Sequence, residues 1–217
     1  FTIAPFKGVV QADAEYAERT WAALRNAISM IFERKTSELS FEELYRFSYN
    51  MVLRKHGDLM YSGLTEKLTS HLMSMATSMS ATDPATFLTQ VQTQWTAFKV
   101  SLSHIRDIFM YMDRSYVITK KKKPVHDLGV ALYRDNVIRN DAIAPRLIDT
   151  VLDLIDRERN GEVVDTLLLR AITRMLAELG DDTDFNSVYV NVFETSFLQR
   201  TRQFYAREAQ FYHTEAN

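Results

Sequence analysis

The chain of 217 residues contains no cysteine, only six glycines and only four prolines. Without thiols it can form neither a disulfide scaffold nor a thiolate metal site. Its formal charge of −2, from 26 basic and 28 acidic residues, gives no overall bias toward nucleic acid or an anionic membrane. No uninterrupted apolar run approaches the roughly 20 residues that a membrane-spanning helix needs. The sequence therefore implies neither a nucleic-acid partner nor a membrane partner.

The scarcity of glycine and proline, together with a hydrophobic content of 46%, favours an all-α fold with a buried core. Gly57, Gly161 and Gly180 follow helical patterns closely, so we predict them to be C-terminal caps. Apolar periodicity predicts helices over roughly 13–34, 41–56, 61–79, 84–118, 126–140, 142–159, 163–179 and 192–212.

The helix predicted from Phe41 has a well-marked start. Ser40 and Glu43 have the spacing of a capping box, in which a hydroxyl and a carboxylate each satisfy a free backbone N–H. Leu39 and Leu44 have the spacing of a hydrophobic staple, which fixes how the chain enters the helix. These signals together predict that the helix begins at Phe41.

This helix has more apolar surface than one core can use. Its apolar side chains cover more than half of the circumference, whereas a surface helix typically needs about 100°. Burial between two helical layers is one explanation. A partner protein is the other, because Phe41, Tyr45 and Tyr49 belong to the surplus and aromatic side chains are common in binding hot spots.

A second aromatic segment ends at Val117. Tyr111 and Arg114 project away from its apolar stripe, so they form either a solvated helix end or part of a binding surface. The stripe itself has alternating spacings of three and four and is predicted to be buried; it consists of Trp95, Phe98, Leu102, Ile105, Phe109 and Met112.

No pattern in the sequence indicates catalysis or a cofactor. The histidines have no metal-ligand spacing, and there is no glycine-rich phosphate loop, no GxSxG elbow and no catalytic cysteine. His104 and Asp107 are the nearest thing to a polar pair, and we interpret them as a surface or satisfied-core pair. His56 is interpreted as a cation at a helix C-terminus. We therefore predict a non-catalytic protein without cofactor or metal.

Two further segments have open interpretations. The four lysines at 120–123 lack interleaved aromatic residues and precede Pro124, which is typical of a solvated turn. At the N-terminus, Phe1, Ile3 and Phe6 flank a proline and are more apolar than a free tail. They belong either to a ragged terminus or to a segment that a partner covers.

Four segments resemble the N-terminal region of the cullin family, and within it the cullin-3 type. They are LSFEELYRFSYNMVLRKHG at 39–57, IRDIFMYMDRSYV at 105–117, RERNGEVVD at 157–165 and VFETSFLQRTRQFYAREAQFY at 192–212. The resemblance covers nearly the whole chain. Phe47 and the lysines at 120–123 depart from the family pattern.

The resemblance implies an all-α fold of stacked five-helix cullin repeats that form an elongated stalk. Residues 1–12 would be an extended N-terminal segment. The first cullin repeat would cover 13–125, with a boundary that could lie as late as about 146, and 126–217 would begin the second repeat.

The resemblance also implies a function. The chain would be part of a scaffold subunit of a cullin–RING ubiquitin ligase, located in cytoplasm and nucleus, and would bind a BTB-domain substrate adaptor. A RING-box protein would bind the C-terminal region that is absent here, and adaptor dimers would bridge two copies. A helical-rod tether of vesicle traffic is the alternative function. The implied adaptor contacts are Ser40, Phe41, Glu42, Tyr45, Tyr49, Tyr111 and Arg114, with Phe1, Ile3 and Phe6 as contacts of the N-terminal extension.

Overall fold

The computed structural model describes residues 7–180 and 193–215, and all regular structure within these residues is helical. The predicted all-α class is confirmed. The α-helices are α1 (Lys7–Phe32), α2 (Phe41–Leu53), α3 (Gly57–Ser80), α4 (Phe87–Ile108), α5 (Met110–Met112), α6 (Ile118–Lys120), α7 (Val125–Tyr133), α8 (Ala144–Arg159), α9 (Thr166–Glu178) and α10 (Thr195–Glu215). A 3₁₀ turn covers Thr36–Glu38, and π-helical turns cover Asp113–Val117 and Arg134–Ile138.

Helix α2 begins where the sequence predicts. Ser40 is its N-cap, and the Ser40 hydroxyl accepts a hydrogen bond from the Glu43 N–H at 3.4 Å. The cap satisfies one of the free N–H groups of the first turn. The sequence signal for a start at Phe41 is therefore confirmed.

The end of α2 differs from the prediction that Gly57 caps it. The left-handed residue is Lys55, with φ of +66°. The His56 N–H bonds to the Met51 carbonyl and the Lys55 N–H to the Val52 carbonyl, which is a Schellman motif. Gly57 instead opens α3.

Glycine is needed at 57 for close packing. A Cβ there would lie 2.3 Å from Cδ2 of Tyr116. Gly63, one and a half turns further along α3, has the same role, because a Cβ there would lie 2.4 Å from the Trp21 ring on α1. Both glycines let α3 approach neighbouring aromatic rings more closely than any other residue would allow.

The start of α1 and the end of α4 also differ from the sequence prediction. Helix α1 begins at Lys7 rather than at 13, so residues 7–12 of the predicted extended segment are helical. The long helix predicted over 84–118 is interrupted at Phe109, where ψ is 14°, and continues through α5, a π turn and α6. The predicted apolar stripe of this segment is confirmed, since its members from Trp95 to Met112 are all buried.

The chain divides into two compact units. The first consists of Phe1–His71 and Thr96–Leu132, and the second of Leu72–Trp95 and Tyr133–Asn217. The predicted repeat boundary, between 125 and about 146, stays a prediction. The largest fully buried side chains of the first unit are Leu24, Ile28, Ile31, Met51, Met60, Leu64, Leu68, Phe98 and Phe109.

In the second unit, Arg200 of α10 is held by a stripe of three carboxylates on α8. Its guanidinium lies 2.7 Å from Asp153, 3.3 Å from Asp156 and 3.5 Å from Asp149. The hydrogen bond to Asp153 is the main reason why the pKa of Arg200 is raised. These ion pairs fasten α10 to α8.

Candidate functional site

Four aromatic side chains follow one another along α2 and onto α5. Phe41, Tyr45 and Tyr49 lie on α2, and Tyr111 lies on α5. The ring centroids of Tyr45 and Tyr49 are 6.4 Å apart, and those of Tyr49 and Tyr111 are 4.4 Å apart. All four side chains are half-buried. We call this set the aromatic row.

The sequence places the aromatic row outside the core because α2 has separate inner and outer faces. Leu44, Ser48 and Met51 form the buried inner face. Phe41, Tyr45 and Tyr49 are spaced four residues apart, so they lie on one face of α2, next to the inner face. At the end of α2, Leu53 is 55% exposed. Within residues 7–180 and 193–215, α2 is therefore not fully buried on both sides, which was the alternative explanation of its surplus apolar surface.

The interruption after α4 determines the position of Tyr111. Phe109, at the break, is fully buried and anchors the segment, and α5 then packs against α2. Tyr111 meets Tyr49 across this contact at an angle of 52° between the rings. Tilted pairs at such distances are favourable beyond the area that they bury. The two helices therefore present one shared surface.

A polar border surrounds the aromatic row. Ser40, Glu42 and Arg114 are exposed. Within the described residues, neither Glu42 nor Arg114 forms an ion pair, and the hydroxyls of the three tyrosines in the row form no hydrogen bond. A surface of half-buried rings and unused polar groups resembles the centre and the rim of a protein–protein interface.

The structure brings together the seven adaptor-contact residues that the resemblance implies. Ser40, Phe41, Glu42, Tyr45 and Tyr49 follow one another along α2, and Tyr111 and Arg114 lie in the adjacent segment. The implied N-terminal contacts Phe1, Ile3 and Phe6 lie outside the described residues.

Two neighbours of the aromatic row are not among the site residues predicted from the sequence. The His104 ring on α4 lies 5.4 Å from the Phe41 ring. Its predicted partner Asp107 contacts Arg106 instead, at 2.9 Å. The other neighbour is Leu53. It lies four residues after Tyr49, one turn further along the same face of α2, so the apolar pattern of the helix could have indicated it.

Asp13 joins α1 to the end of α2. Its carboxylate lies 2.9 Å from Arg54 Nη1 and 3.0 Å from His56 Nε2. The hydrogen bond from Arg54, followed by that from His56, lowers the pKa of Asp13. His56, which we interpreted as a cation interacting with the helix dipole, thus has a specific side-chain partner.

The sequence predicts a solvated turn for the four lysines at 120–123, but Lys122 contacts other side chains. Lys122 Nζ lies 4.5 Å from the centre of the Tyr61 ring and 5.2 Å from that of Tyr116. It also lies 3.8 Å from the Asp58 carboxylate. The hydrogen bond with Tyr116 is the main reason why the pKa of Lys122 is raised. Its three neighbours in the run are exposed.

The second unit contains a cavity of about 560 Å³ between α8 and α10. Arg159, on its wall, donates a hydrogen bond to Thr201 at 2.7 Å and lies over the rings of Phe197 and Phe204. Among the described residues there is no cluster of three or more potential metal ligands. None of the described helices is long and apolar enough to cross a membrane.

Comparison with known proteins gives the family. Residues 21–217 match the cullin alpha solenoid domain, a description that agrees with the predicted stacking of helical repeats. Cullin-3B of Arabidopsis thaliana is 44% identical over 209 residues, which cover 96% of this chain and 28% of that protein. Cullin-3 of Dictyostelium discoideum is 42% identical over 201 residues, which cover 93% of this chain and 26% of that protein.

A different cullin type is less similar. Cullin-4A of Homo sapiens is 31% identical over 198 residues, which cover 90% of this chain and 25% of that protein. The chain spans about a quarter of the length of these relatives. The resemblance seen in the four sequence segments, including its cullin-3 type, is confirmed, and the chain belongs to the cullin family.

Proposed function

We propose that this chain is the adaptor-binding part of a non-catalytic scaffold subunit of a cullin–RING ubiquitin ligase. In the whole protein, this part would hold a BTB-domain substrate adaptor, and another region would hold a RING-box protein. The scaffold would act by fixing the distance between substrate and ubiquitin donor, since positioning alone accelerates a transfer reaction.

The aromatic row is the observation that carries this proposal. Its rings are half-buried in the monomer, and its three hydroxyls have no hydrogen-bond partner among the described residues. Covering such rings with a partner buries apolar surface and offers the hydroxyls a partner at the same time. The similarity to cullin-3 proteins supports a BTB domain as that partner. Family membership favours the scaffold over the vesicle-traffic tether.

The residues of the surface would have different roles. Phe41, Tyr45 and Tyr49 would be the anchors, because truncation of an aromatic hot spot typically costs about 2 kcal/mol or more. Glu42 and Arg114 are exposed at the border. Rim charges select a partner and its orientation more than they add affinity.

The other parts of the proposal rest on the resemblance. Phe1, Ile3 and Phe6 would pack against helices that follow the BTB fold. Since BTB domains commonly dimerise, two copies of this chain would be bridged by an adaptor dimer. The complete ligase would work in the cytoplasm and nucleus.

Tyr45→Ala is the sharpest test of the surface. The Tyr45 ring lies 6.4 Å from that of Tyr49, whereas the Tyr49 ring lies 4.4 Å from that of Tyr111, so loss of Tyr45 leaves the closer ring pair intact. We expect the affinity for a cognate BTB domain to fall at least about tenfold, which is about 1.4 kcal/mol, with an unchanged unfolding midpoint. Calorimetric titration of the BTB domain into each variant measures this.

Tyr205→Ala is the matched control, because Tyr205 lies on α10 in the second unit and is 58% exposed. This variant should bind the BTB domain like the wild type. Skp-type and elongin-type adaptors serve as specificity controls. Unchanged affinity after Tyr45→Ala would remove Tyr45 from the site, and binding only to the control adaptors would overturn the proposed partner.

A further inference from the structure

The surface beyond Tyr111 continues as an apolar and basic strip. Ile118 of α6 is 69% exposed. Arg114 is also exposed and lies four residues earlier, so the two side chains share one face of the segment. Met112 and Tyr116, on the opposite side, are buried. A single exposed isoleucine needs no explanation, but this one shares a face with Arg114, which forms no ion pair with any described residue.

The chain reversal after α6 brings lysines onto the same end. Lys121 has a left-handed backbone, and its N–H bonds to the Ile118 carbonyl at 3.2 Å. The next N–H, that of Lys122, bonds back to Val117 at 3.0 Å. Lys121 and Lys123 are exposed and, within the described part of the chain, their side chains form no ion pair. The reversal thus ties the backbone of Lys121 to that of the exposed isoleucine, and Lys123 follows two residues later.

The nearby carboxylates have polar partners of their own. Asp113 accepts hydrogen bonds from the backbone N–H that opens α7, at 3.0 and 3.2 Å. Asp58 is occupied by the Tyr116 hydroxyl and Lys122. Asp127 lies 3.3 Å from the neighbouring histidine ring. Five cationic side chains, those of Arg114 and of the lysines at 120–123, outnumber these three carboxylates, so a net positive charge remains at this end of the segment.

We propose that Arg114, Ile118, Lys121 and Lys123 form a basic extension of the aromatic row that binds an acidic segment of the same BTB-domain adaptor. This inference rests on the proposed function and adds the chemistry of the partner to it. Arg114 belongs to both surfaces, and Ile118 lies two turns from Tyr111, so one partner can cover both. Opposite charge across an interface raises the association rate and selects among partners. Adaptors with acidic residues at this position would therefore be preferred.

The test variant is the double charge reversal Lys121→Glu with Lys123→Glu. Lys122 is kept, because it packs against the rings of Tyr61 and Tyr116. The matched control is Arg170→Glu with Arg174→Glu on α9. Both arginines are exposed, and the net charge changes by the same amount.

The affinity of the BTB domain that binds the wild type most tightly is measured by calorimetry at ionic strengths of about 50 mM and about 500 mM. We expect the test variant to bind about tenfold more weakly at low salt and less than about threefold more weakly at high salt, because salt screens exposed charges. The control should stay within about twofold of the wild type at both salts.

Ile118→Ala probes the apolar part of the strip. We expect an affinity loss of about threefold that does not depend on salt. The unfolding midpoint should not change, because the side chain is 69% exposed.

The outcomes separate the extension from the proposed function. If Tyr45→Ala weakens binding but the charge reversal does not, the extension is overturned and the adaptor surface stands. If no BTB domain binds the wild type, both are overturned. Vesicles that contain phosphatidylserine are the second probe. Vesicle binding that the charge reversal abolishes, with unchanged adaptor affinity, would assign the strip to a membrane and overturn the extension.

Discussion

At the scale of single residues, Ser48 on the inner face of α2 combines complete burial with an unsatisfied hydroxyl. The Ser48 side chain is 0% exposed, and its Oγ has no hydrogen-bond partner in the part of the chain that the structure describes. A buried hydroxyl without a partner typically costs about 1–3 kcal/mol of desolvation. The small side chain fits on the inner face of α2, but the desolvation of its hydroxyl opposes the burial of that face.

We predict that Ser48→Ala raises the free energy of unfolding by about 1 kcal/mol. Urea denaturation followed by circular dichroism measures it. Ser70→Ala is the matched control, because Ser70 lies on α3 of the same unit and is exposed. The control should gain only the better helix propensity of alanine, about 0.5 kcal/mol or less. An equal gain in both variants would show that burial of the Ser48 hydroxyl costs nothing.

His71 gives the first unit a pH-dependent contribution to stability. Its ring stacks on the Phe32 ring, with centroids 3.6 Å apart and an angle of 5°. Burial, with a smaller contribution from Lys67, lowers the pKa of His71. The unfolded chain therefore binds a proton at a higher pH than the folded chain. The stabilising effect is present above the ordinary histidine pKa and is lost as the pH falls below it.

We predict that the free energy of unfolding falls between about pH 7.5 and about pH 5.5, and that it falls less in His71→Phe. Phenylalanine keeps a flat ring against Phe32 but takes up no proton. Asp113, whose pKa is raised by burial, is common to both proteins and cancels in the comparison. Equal slopes in wild type and variant, measured by urea denaturation at both pH values, would contradict the role of His71.

At the scale of helices and their ends, the sequence predicts the interior of an element better than its limits. The capping signals of Ser40 predict the start of α2, and the apolar stripe up to Met112 predicts a buried face. The break at Phe109 has no sequence signal, because neither glycine nor proline marks it. The distance between Tyr49 and Tyr111 depends on that break, so the two tyrosines could be proposed as one site only through the family resemblance.

The position of glycine alone does not predict where the helices end. Gly161 follows α8 with φ of +87° and closes a Schellman motif, as predicted. Arg34, Lys55 and Lys121 adopt the same left-handed conformation without being glycine. For a residue with a Cβ this conformation costs about 1–2 kcal/mol. Tertiary packing of the following segment overrides that local preference.

We predict that Lys55→Gly raises the free energy of unfolding by about 0.5–1 kcal/mol, because glycine adopts positive φ without the Cβ penalty. Lys67→Gly, in the interior of α3, is the opposite control. It should lower the free energy of unfolding by about 1 kcal/mol. A loss of stability in both variants would contradict the left-handed assignment at Lys55.

At the scale of the whole molecule, composition and periodicity predict the helical class but not the use of the surface. The residues themselves left two explanations for α2, and the half-buried aromatic row favours the partner surface, which stays a proposal. No pattern in the sequence supports a catalytic function, a nucleic-acid partner or a membrane partner. The identity of the partner comes from the similarity to cullin-3 proteins and not from the geometry of the first unit.

Hydroxyl-radical footprinting of tyrosines, with and without a cognate BTB domain, tests the proposed surface most directly. Tyr45, Tyr49 and Tyr111 are partly accessible in the free chain, and we predict that all three become protected in the complex. Tyr205, 58% exposed on α10, should keep its reactivity. Unchanged oxidation of the three tyrosines in a saturated complex would contradict the proposal that the aromatic row binds the adaptor.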